Sequence, residues 1–530
     1  ANQNDVMSSG TVLAKADLSV NAADYTNSGY VVADGMADIQ ATTVTNTGTL
    51  AGREALTVEA DSILNDQGGA LLSENDLNLS ADQVTNRLAD IYTSGNLTIN
   101  GSDGESAKKL ENRSGRIEAE DDIEVQAEQI LNVRDVLDWE DVLVDAKAQY
   151  FCIECAHTNF TMRYTFTEEF VRELDEATTG RSLLVAGGDM SLAGEGLINE
   201  TSDILAYGNM NLDLDRIDNL GLHSGEYILI NHYKKYLSDD AHVANVRYGI
   251  ERYNNRNYFG RAEYWGDGGN KALEYMRLYP GWNNPGYDPD NFLKREDNWV
   301  VKNTPHVGEE TRVLDSTEIL GANIIAGGDL DMGDATVTNG DFGHREKGDV
   351  SEEDLIAVGE GAGRGGNDVD NYLTGVNGGL FSIADPNHPY LIETNPFFAT
   401  RDGFLGSEYL LNRLGWDPNG TLRLLGDGFY EQQLIRQQVV DLTGRALLDQ
   451  EYVDANAQYR ALLDNGLFAA EPLELTVGVA LNPEQVNKLT SDIVWMVEQE
   501  VAGETVLVPQ LYLSPQSAVI DENGALIASG

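Results

Sequence analysis

Residues 55–86 read ALTVEADSILNDQGGALLSENDLNLSADQVTN, and the spacing inside this stretch decides the fold. Leu56 and Val58, then Leu77 and Leu79, stand at alternate positions, so each run turns one face inward. An asparagine follows each pair at a fixed distance, Asn65 and then Asn86. Working outward, the same asparagine recurs at Asn27, Asn46, Asn112 and Asn132, with successive spacings of 19, 19, 21, 26 and 20 along the six. It returns at Asn199, Asn219 and Asn339. Two residues before each lies Tyr25, Val44, Ile63, Val84, Leu110, Ile130, Leu197, Ile217 or Val337. The alternating pair precedes it throughout, except in the Asn112 repeat, where GSDGES separates Leu97/Ile99 from the rest.

A period of about 20 residues holds two or three short strands, too few to bury a core alone. Stacked repeats bury it together. The fold expected is therefore mainly β, a right-handed parallel β-helix. A polar side chain held at one register position predicts a ladder of asparagines, Asn27, Asn46, Asn65, Asn86, Asn112, Asn132, Asn199 and Asn219, bonding at a turn. The repeats occupy 1–137, 182–225 and 318–342, and a further β-helix begins at 513–530. Inserts at 138–181 and 226–317 interrupt them, and 343–512 forms a partly α-helical C-terminal subdomain.

That subdomain carries helix signals. In NPEQVNKLTSDIVWMVEQEV, Asn482, Pro483 and Gln485 form an N-terminal box, and Val486, Leu489, Ile493, Val494 and Val497 share one helical face. A second helix is expected from Phe429 to Leu442, between Asp427 and Gly444. A third is expected over Asp454–Leu463, stopped by Asn465-Gly466.

The chain has 35 Lys+Arg against 88 Asp+Glu, a net charge of −53. Nucleic acid is excluded as a partner, because phosphate binding needs clustered cations. Adhesion to anionic lipid is disfavoured on the same ground. The insert at 226–317 departs from this composition. Fifteen aromatics fall among the 73 residues from Tyr227 to Trp299, with Lys234, Lys235, Arg247, Arg252, Arg256, Arg261, Lys271 and Arg277 among them. Tyr, Trp and Arg are enriched at protein-binding hot spots. The candidate receptor-binding residues are Tyr248, Arg252, Tyr253, Arg256, Tyr258, Phe259, Arg261, Tyr264, Trp265 and Trp282. Each serves equally well as the core of an insert poor in aliphatic residues.

Cys152 and Cys155 are the only cysteines. A C-x-x-C pair suits a redox couple, half a zinc site or a local disulfide. With no second pair and only His157 nearby, a structural disulfide stapling a hairpin is favoured. No apolar run reaches the roughly 20 residues of a membrane-spanning helix. No initiator Met or signal-peptide pattern marks Ala1, and the chain ends on Ala-Ser-Gly, so a piece of something longer is expected.

The repeats resemble the filamentous haemagglutinin family. HPYLIETNPFF (388–398), LGDGFYEQQLIRQQVVDLTGR (425–445), YRALLDNG (459–466), LTVGVAL (475–481) and LTSDIVWMVEQEV (489–501) resemble a mid-chain segment of the CdiA-type exoproteins of contact-dependent growth inhibition. The resemblance implies a protein secreted by the two-partner route to the surface of a Gram-negative bacterium. It implies two partners, an outer-membrane transporter for the full-length protein and an outer-membrane protein or glycan receptor on a neighbouring cell. The expected function is receptor recognition for toxin delivery by a monomeric filament. A host-cell or glycan-binding adhesin is the alternative.

No enzyme motif appears: there is no P-loop, H-E-x-x-H, G-x-S-x-G or paired zinc signature. No cofactor and no metal are expected; the Gly-rich run at 359–371 is read as a flexible loop, with a calcium-binding loop as the weaker alternative. Asp213/Asp215 and Asp329/Asp331 allow a carbohydrate-active β-helix enzyme in principle. With so many carboxylates such pairs arise by chance, so no catalytic residue is assigned.

Overall fold

The computed structural model describes the chain except residues 1–3, 103, 157–158, 176, 238–239, 268–269, 281–283, 342–375, 377, 399–403, 417–421, 450–451, 453, 518–524 and 530, and except the side chains of 152–160, 237–247, 263–277, 315–318 and 341. It divides into two compact units. The first comprises residues 1–136, 179–222 and 320–530, and the second 137–178 and 223–319.

The first unit contains the repeat. Each coil lays its alternating pair and its asparagine-bearing run into one large parallel sheet. It then turns into a four-residue strand of a second parallel sheet. The register follows the period: Leu56 pairs with Leu77, Ile63 with Val84, and Asn65 with Asn86. It continues from Asn86 to Asn112, Asn132, Asn199, Asn219 and Asn339. One buried apolar column fills the space between the two sheets, from Tyr25 through Ile63, Leu110 and Ile130 to Ile217. The fold is the parallel β-helix that the spacing predicts. GSDGES leaves the Asn112 coil as a loop closed by the Gly101 amide on the Glu105 carbonyl, at 2.7 Å. The corners after the asparagines are tight. A Cβ on Gly48 would lie 2.1 Å from the Gly29 carbonyl oxygen, so the first two coils need glycine there. The three-residue corners instead hold Leu88, Ser114 and Thr201 at φ of 49°, 45° and 45°, a left-handed conformation disfavoured for side-chain-bearing residues.

The four-residue strands, such as ALLS (70–73), DIYT (90–93) and DILA (203–206), are buried at every position. Their inward side chains join the β-helix core, while their outward ones are covered by residues 376–513. Val32, Ala51, Leu72 and Tyr92 pack with Phe381, Phe398, Phe429 and Val508. Ion pairs are buried on the same face. Arg436 reaches Glu118 at 2.9 Å, and Arg181 reaches both Asp203 and Asp441 at 3.0 Å. Burial works against the charge on Arg181, but Asp441 and Asp203 outweigh it and hold the guanidinium charged.

The covering subdomain is less helical than the sequence suggests. Its sheet runs Phe381–Ile383, Tyr390–Thr394, Arg423–Gly426, Glu504–Tyr512, Ile493–Val501. The helix Gly428–Thr443 lies where expected, with Asp427 accepting from the Tyr430 amide and Gly444 left-handed beyond its end. The expected helix over 482–501 needs correction. The capping box forms, but the helix stops after Val486, and Ile493–Val501 is a strand. Five consecutive apolar residues, IVWMV, are all buried there, as a strand covered on both faces requires and a one-faced helix does not. The helix over Ala455–Ala470 likewise runs past Asn465-Gly466. A Cβ on Gly466 would meet the Val494 carbonyl oxygen at 2.5 Å, so this glycine admits a neighbouring strand and does not end the helix.

In the second unit, Trp139–Ala156 pairs antiparallel with Asn159–Leu174, and the latter pairs antiparallel with residues 225–237. The expected inserts at 138–181 and 226–317 therefore share one sheet and one core. The Cys152–Cys155 pair lies on the first of these strands, and the side chains of both cysteines lie outside the described residues. The Gly-rich run at 359–371 also lies outside them. Among the described residues, no helix is long and apolar enough to cross a membrane.

Candidate functional site

The helix Asp240–Asn257 divides the aromatic residues of the second unit into two sets. Ile250, Tyr253, Asn254 and Asn257 recur at helical spacing and are buried. Ile250 and Tyr253 meet Tyr150, Tyr164, Phe166 and Tyr233 of the sheet in one core. Phe166 sits edge-on to both Tyr253 and Tyr233, with ring centroids 5.2 and 5.7 Å apart. Asn254 binds the helix to the sheet. It accepts from the Ala148 amide at 2.6 Å and donates to the Ala148 carbonyl at 2.8 Å. Asn257 does the same to Leu293, at 2.8 and 2.7 Å.

Buried charges reinforce this framework. Glu168 accepts from the Tyr253 hydroxyl at 3.0 Å and from Arg295 Nε at 2.8 Å, and Arg295 also reaches the Tyr233 hydroxyl at 2.6 Å. Burial raises the Glu168 carboxyl, against the pull of Arg295. Arg172 is fully buried, holds Asp141 through Nε and Nη2 at 2.7 and 3.1 Å, and lies against the rings of Trp139 and Tyr227. These contacts hold the unit together.

Solvent receives the other set. Tyr248 is 68 % exposed and Phe259 59 %, and Arg252 and Arg261 are exposed beside them in sequence. Arg256 is half-buried, paired with Asp288 at 2.8 Å and donating to the Asn291 carbonyl. Tyr253 and Tyr258 are core, which withdraws them as contact residues: packing, not recognition, accounts for their place in the aromatic run. The side chains of Tyr264 and Trp265, and all of Trp282, lie outside the described residues. Asp213, Asp215, Asp329 and Asp331 stand exposed on the outside of the β-helix. Among the described residues, no group of three or more His, Cys, Asp or Glu is placed to hold a metal ion.

The asparagines of the first unit form a hydrogen-bonded column. Each Nδ2 donates to the Oδ1 of the next, from Asn27 to Asn339, at 2.7–2.9 Å. Those from Asn27 to Asn132 also donate to the carbonyl that opens a short strand one coil on, as Asn65 does to Asp90 and Asn132 to Asp203. A second, exposed column was not read from the sequence. Asp76, Asn96, Asp122, Asp189 and Asn209 each accept the backbone amide one coil further along. Its signal is an Asp or Asn standing ten residues before most of the asparagines, for example Asp122 before Asn132 and Asp189 before Asn199.

The two sheets, the coil length and the asparagine column define a parallel β-helix of the haemagglutinin-repeat class. The haemagglutinin repeat family matches residues 1–35, 32–103, 92–138 and 173–224. The chain is 43 % identical over 159 residues, 30 % of its length, to the tRNA nuclease CdiA-2 of Burkholderia pseudomallei, and 41 % over 141 residues, 26 % of its length, to the toxin CdiA of Yersinia pestis. A longer match, 26 % identical over 405 residues and 66 % of the chain, is to the tRNA nuclease CdiA of Escherichia coli strain STEC_O31. These matches cover 5, 4 and 12 % of those proteins, so the chain spans a small part of the relatives it matches. No solved structure matches it. The chain is accordingly related to the CdiA-type, filamentous-haemagglutinin-like exoproteins.

Proposed function

We propose that this chain is a receptor-recognising region of a secreted exoprotein of contact-dependent growth inhibition, displayed on the surface of a Gram-negative cell. In this reading the second unit meets an outer-membrane receptor on a neighbouring bacterium. An outer-membrane transporter exports the full-length protein. Toxin delivery belongs to the larger protein, and no chemical step is assigned to these residues.

The observation that supports the reading is the division of the aromatic run. On a chain of net charge −53, one unit exposes Tyr248 and Arg252 on a helix held by buried Asn254 and Asn257, and Phe259 and Arg261 just past the end of that helix. Aromatic and arginine side chains on a rigid support are the composition of a binding hot spot. The test is attachment of the full chain to candidate Gram-negative target cells, comparing wild type with Tyr248→Ala/Arg252→Ala and Phe259→Ala. A truncating change at a hot spot costs about 2 kcal/mol or more, about thirtyfold in affinity. Attachment should fall accordingly while the thermal melt stays in place. Unchanged attachment in both variants would overturn the reading.

A further inference from the structure

The second unit has another exposed surface, on its sheet and not on its helix. Tyr150, Tyr164, Phe166 and Tyr233 turn one way into the core. Their strand neighbours turn the other way. Register aligns Phe151, Arg163 and Lys234 across three strands, with Gln149, Thr165 and His232 two positions on and Lys147, Thr167 and Ile230 beyond. Phe151 is 40 % exposed and Tyr236 57 %, and Arg163 and Lys234 are exposed between them. The Arg163 guanidinium lies 5.8 Å from the centre of the Phe151 ring.

The charge of this face runs against the chain. On this face Arg163 and Lys234 are exposed and Lys147 is half-buried, and the three aligned rungs contain no carboxylate; Asp145 and Glu169 form the next rung, beside Lys147. Around Arg163 and Lys234 the surface is cationic and aromatic, while the molecule as a whole repels anions. Sheet pairing consumes the backbone amides, so recognition must come from side chains. Arg163 supplies a flat fork suited to a carboxylate, Lys234 a second charge, and Phe151 and Tyr236 apolar flanks.

We propose that this face, centred on Arg163 and Lys234, binds a carboxylate-bearing loop of a partner protein. A protruding loop is favoured over an anionic lipid surface. Repulsion from an acidic chain reaches about 8–10 Å in physiological salt, so a loop can approach the patch where a whole charged surface cannot. The proposal rests on reading this unit as the receptor-facing body, and names a second contact within it.

The probe is a fluorescein-labelled peptide of about ten glutamates, with its glutamine counterpart as control, titrated with the full chain at physiological salt and read by anisotropy. Anionic phosphatidylglycerol vesicles form a parallel arm. Wild type should bind the glutamate peptide, and not the glutamine one. Arg163→Glu and Lys234→Glu should each weaken binding about tenfold or more, and Arg163→Gln by less, while Asn211→Ala on the β-helix leaves it unchanged. Both positions are exposed, so the melting curves should overlay. The proposal is overturned if the two peptides bind alike, if the charge variants bind like wild type, or if vesicles bind and the glutamate peptide does not. Failure of the Tyr248 attachment test alone would remove the receptor reading and leave this result standing.

Discussion

Replacing Asn86 with alanine should destabilise the β-helix by about 4–5 kcal/mol, and the estimate follows from the bonds lost. Asn86 Nδ2 lies 2.9 Å from the Ala89 carbonyl, 3.0 Å from the Arg116 carbonyl and 2.9 Å from Asn112 Oδ1, and its Oδ1 accepts from Asn65 at 2.8 Å. An amide nitrogen carries two protons, so the three acceptors share two good bonds, and with the accepted bond three are lost. At about 1 kcal/mol net for each bond, that gives about 3 kcal/mol. The stranded carbonyls and the small cavity left in a site with no solvent access add about 1–2 kcal/mol. Chemical denaturation of the full chain should show a lower midpoint. Hydrogen exchange should accelerate first in the coils of Asn65, Asn86 and Asn112, because repeat arrays lose stability locally. Asn211→Ala, an exposed asparagine in the same sheet, is the control and should stay within about 0.5 kcal/mol of wild type. If the two substitutions cost the same, the asparagine column is a turn preference and not a source of stability.

Three further outcomes follow from the first unit. Burial pushes the Asp90 carboxyl up to about 6, so the folded state holds a proton that the unfolded chain releases, and stability should fall as pH rises from about 4 to 6. Asp90→Asn should flatten that part of a melting-temperature profile, worth at most about 3 kcal/mol, and a parallel profile would contradict the assignment. Gly466→Ala forces a methyl against the Val494 carbonyl and should cost about 1–3 kcal/mol by thermal melt, where an exposed helical glycine would gain from the same change. Leu88→Gly should stabilise by about 1 kcal/mol, by relieving a φ of 49°, and a lower melting temperature would contradict this.

The β-helix was legible because stacking demands one residue type at one position, and a period survives the insertion of loops. GSDGES displaced a pair by six residues and left Leu97 in register with Leu77 and Ile123. The covering of the short sheet was legible in principle. Strands such as ALLS and DIYT do not alternate, the mark of a strand buried on both faces. Ile493–Val501 misled because five apolar residues in a row satisfy a helical stripe as readily as a doubly buried strand. The union of the two inserts was not legible: Phe166 and Tyr253 meet only through tertiary structure, and nothing local marks the pair. For the same reason composition located the aromatic run of the candidate site but not its division, in which Tyr253 turns inward and Tyr248 outward within one helix.

The central claim is that the second unit carries the contact with another cell. Site-specific photo-crosslinking tests it most directly, with a photoreactive residue in place of Arg252 and, separately, of Asn211 on the β-helix, each exposed on its own unit. Incubated with target cells, the full chain should crosslink to an outer-membrane component from position 252 and not from position 211. Crosslinks from 211 with none from 252 would move recognition to the β-helix and contradict the account.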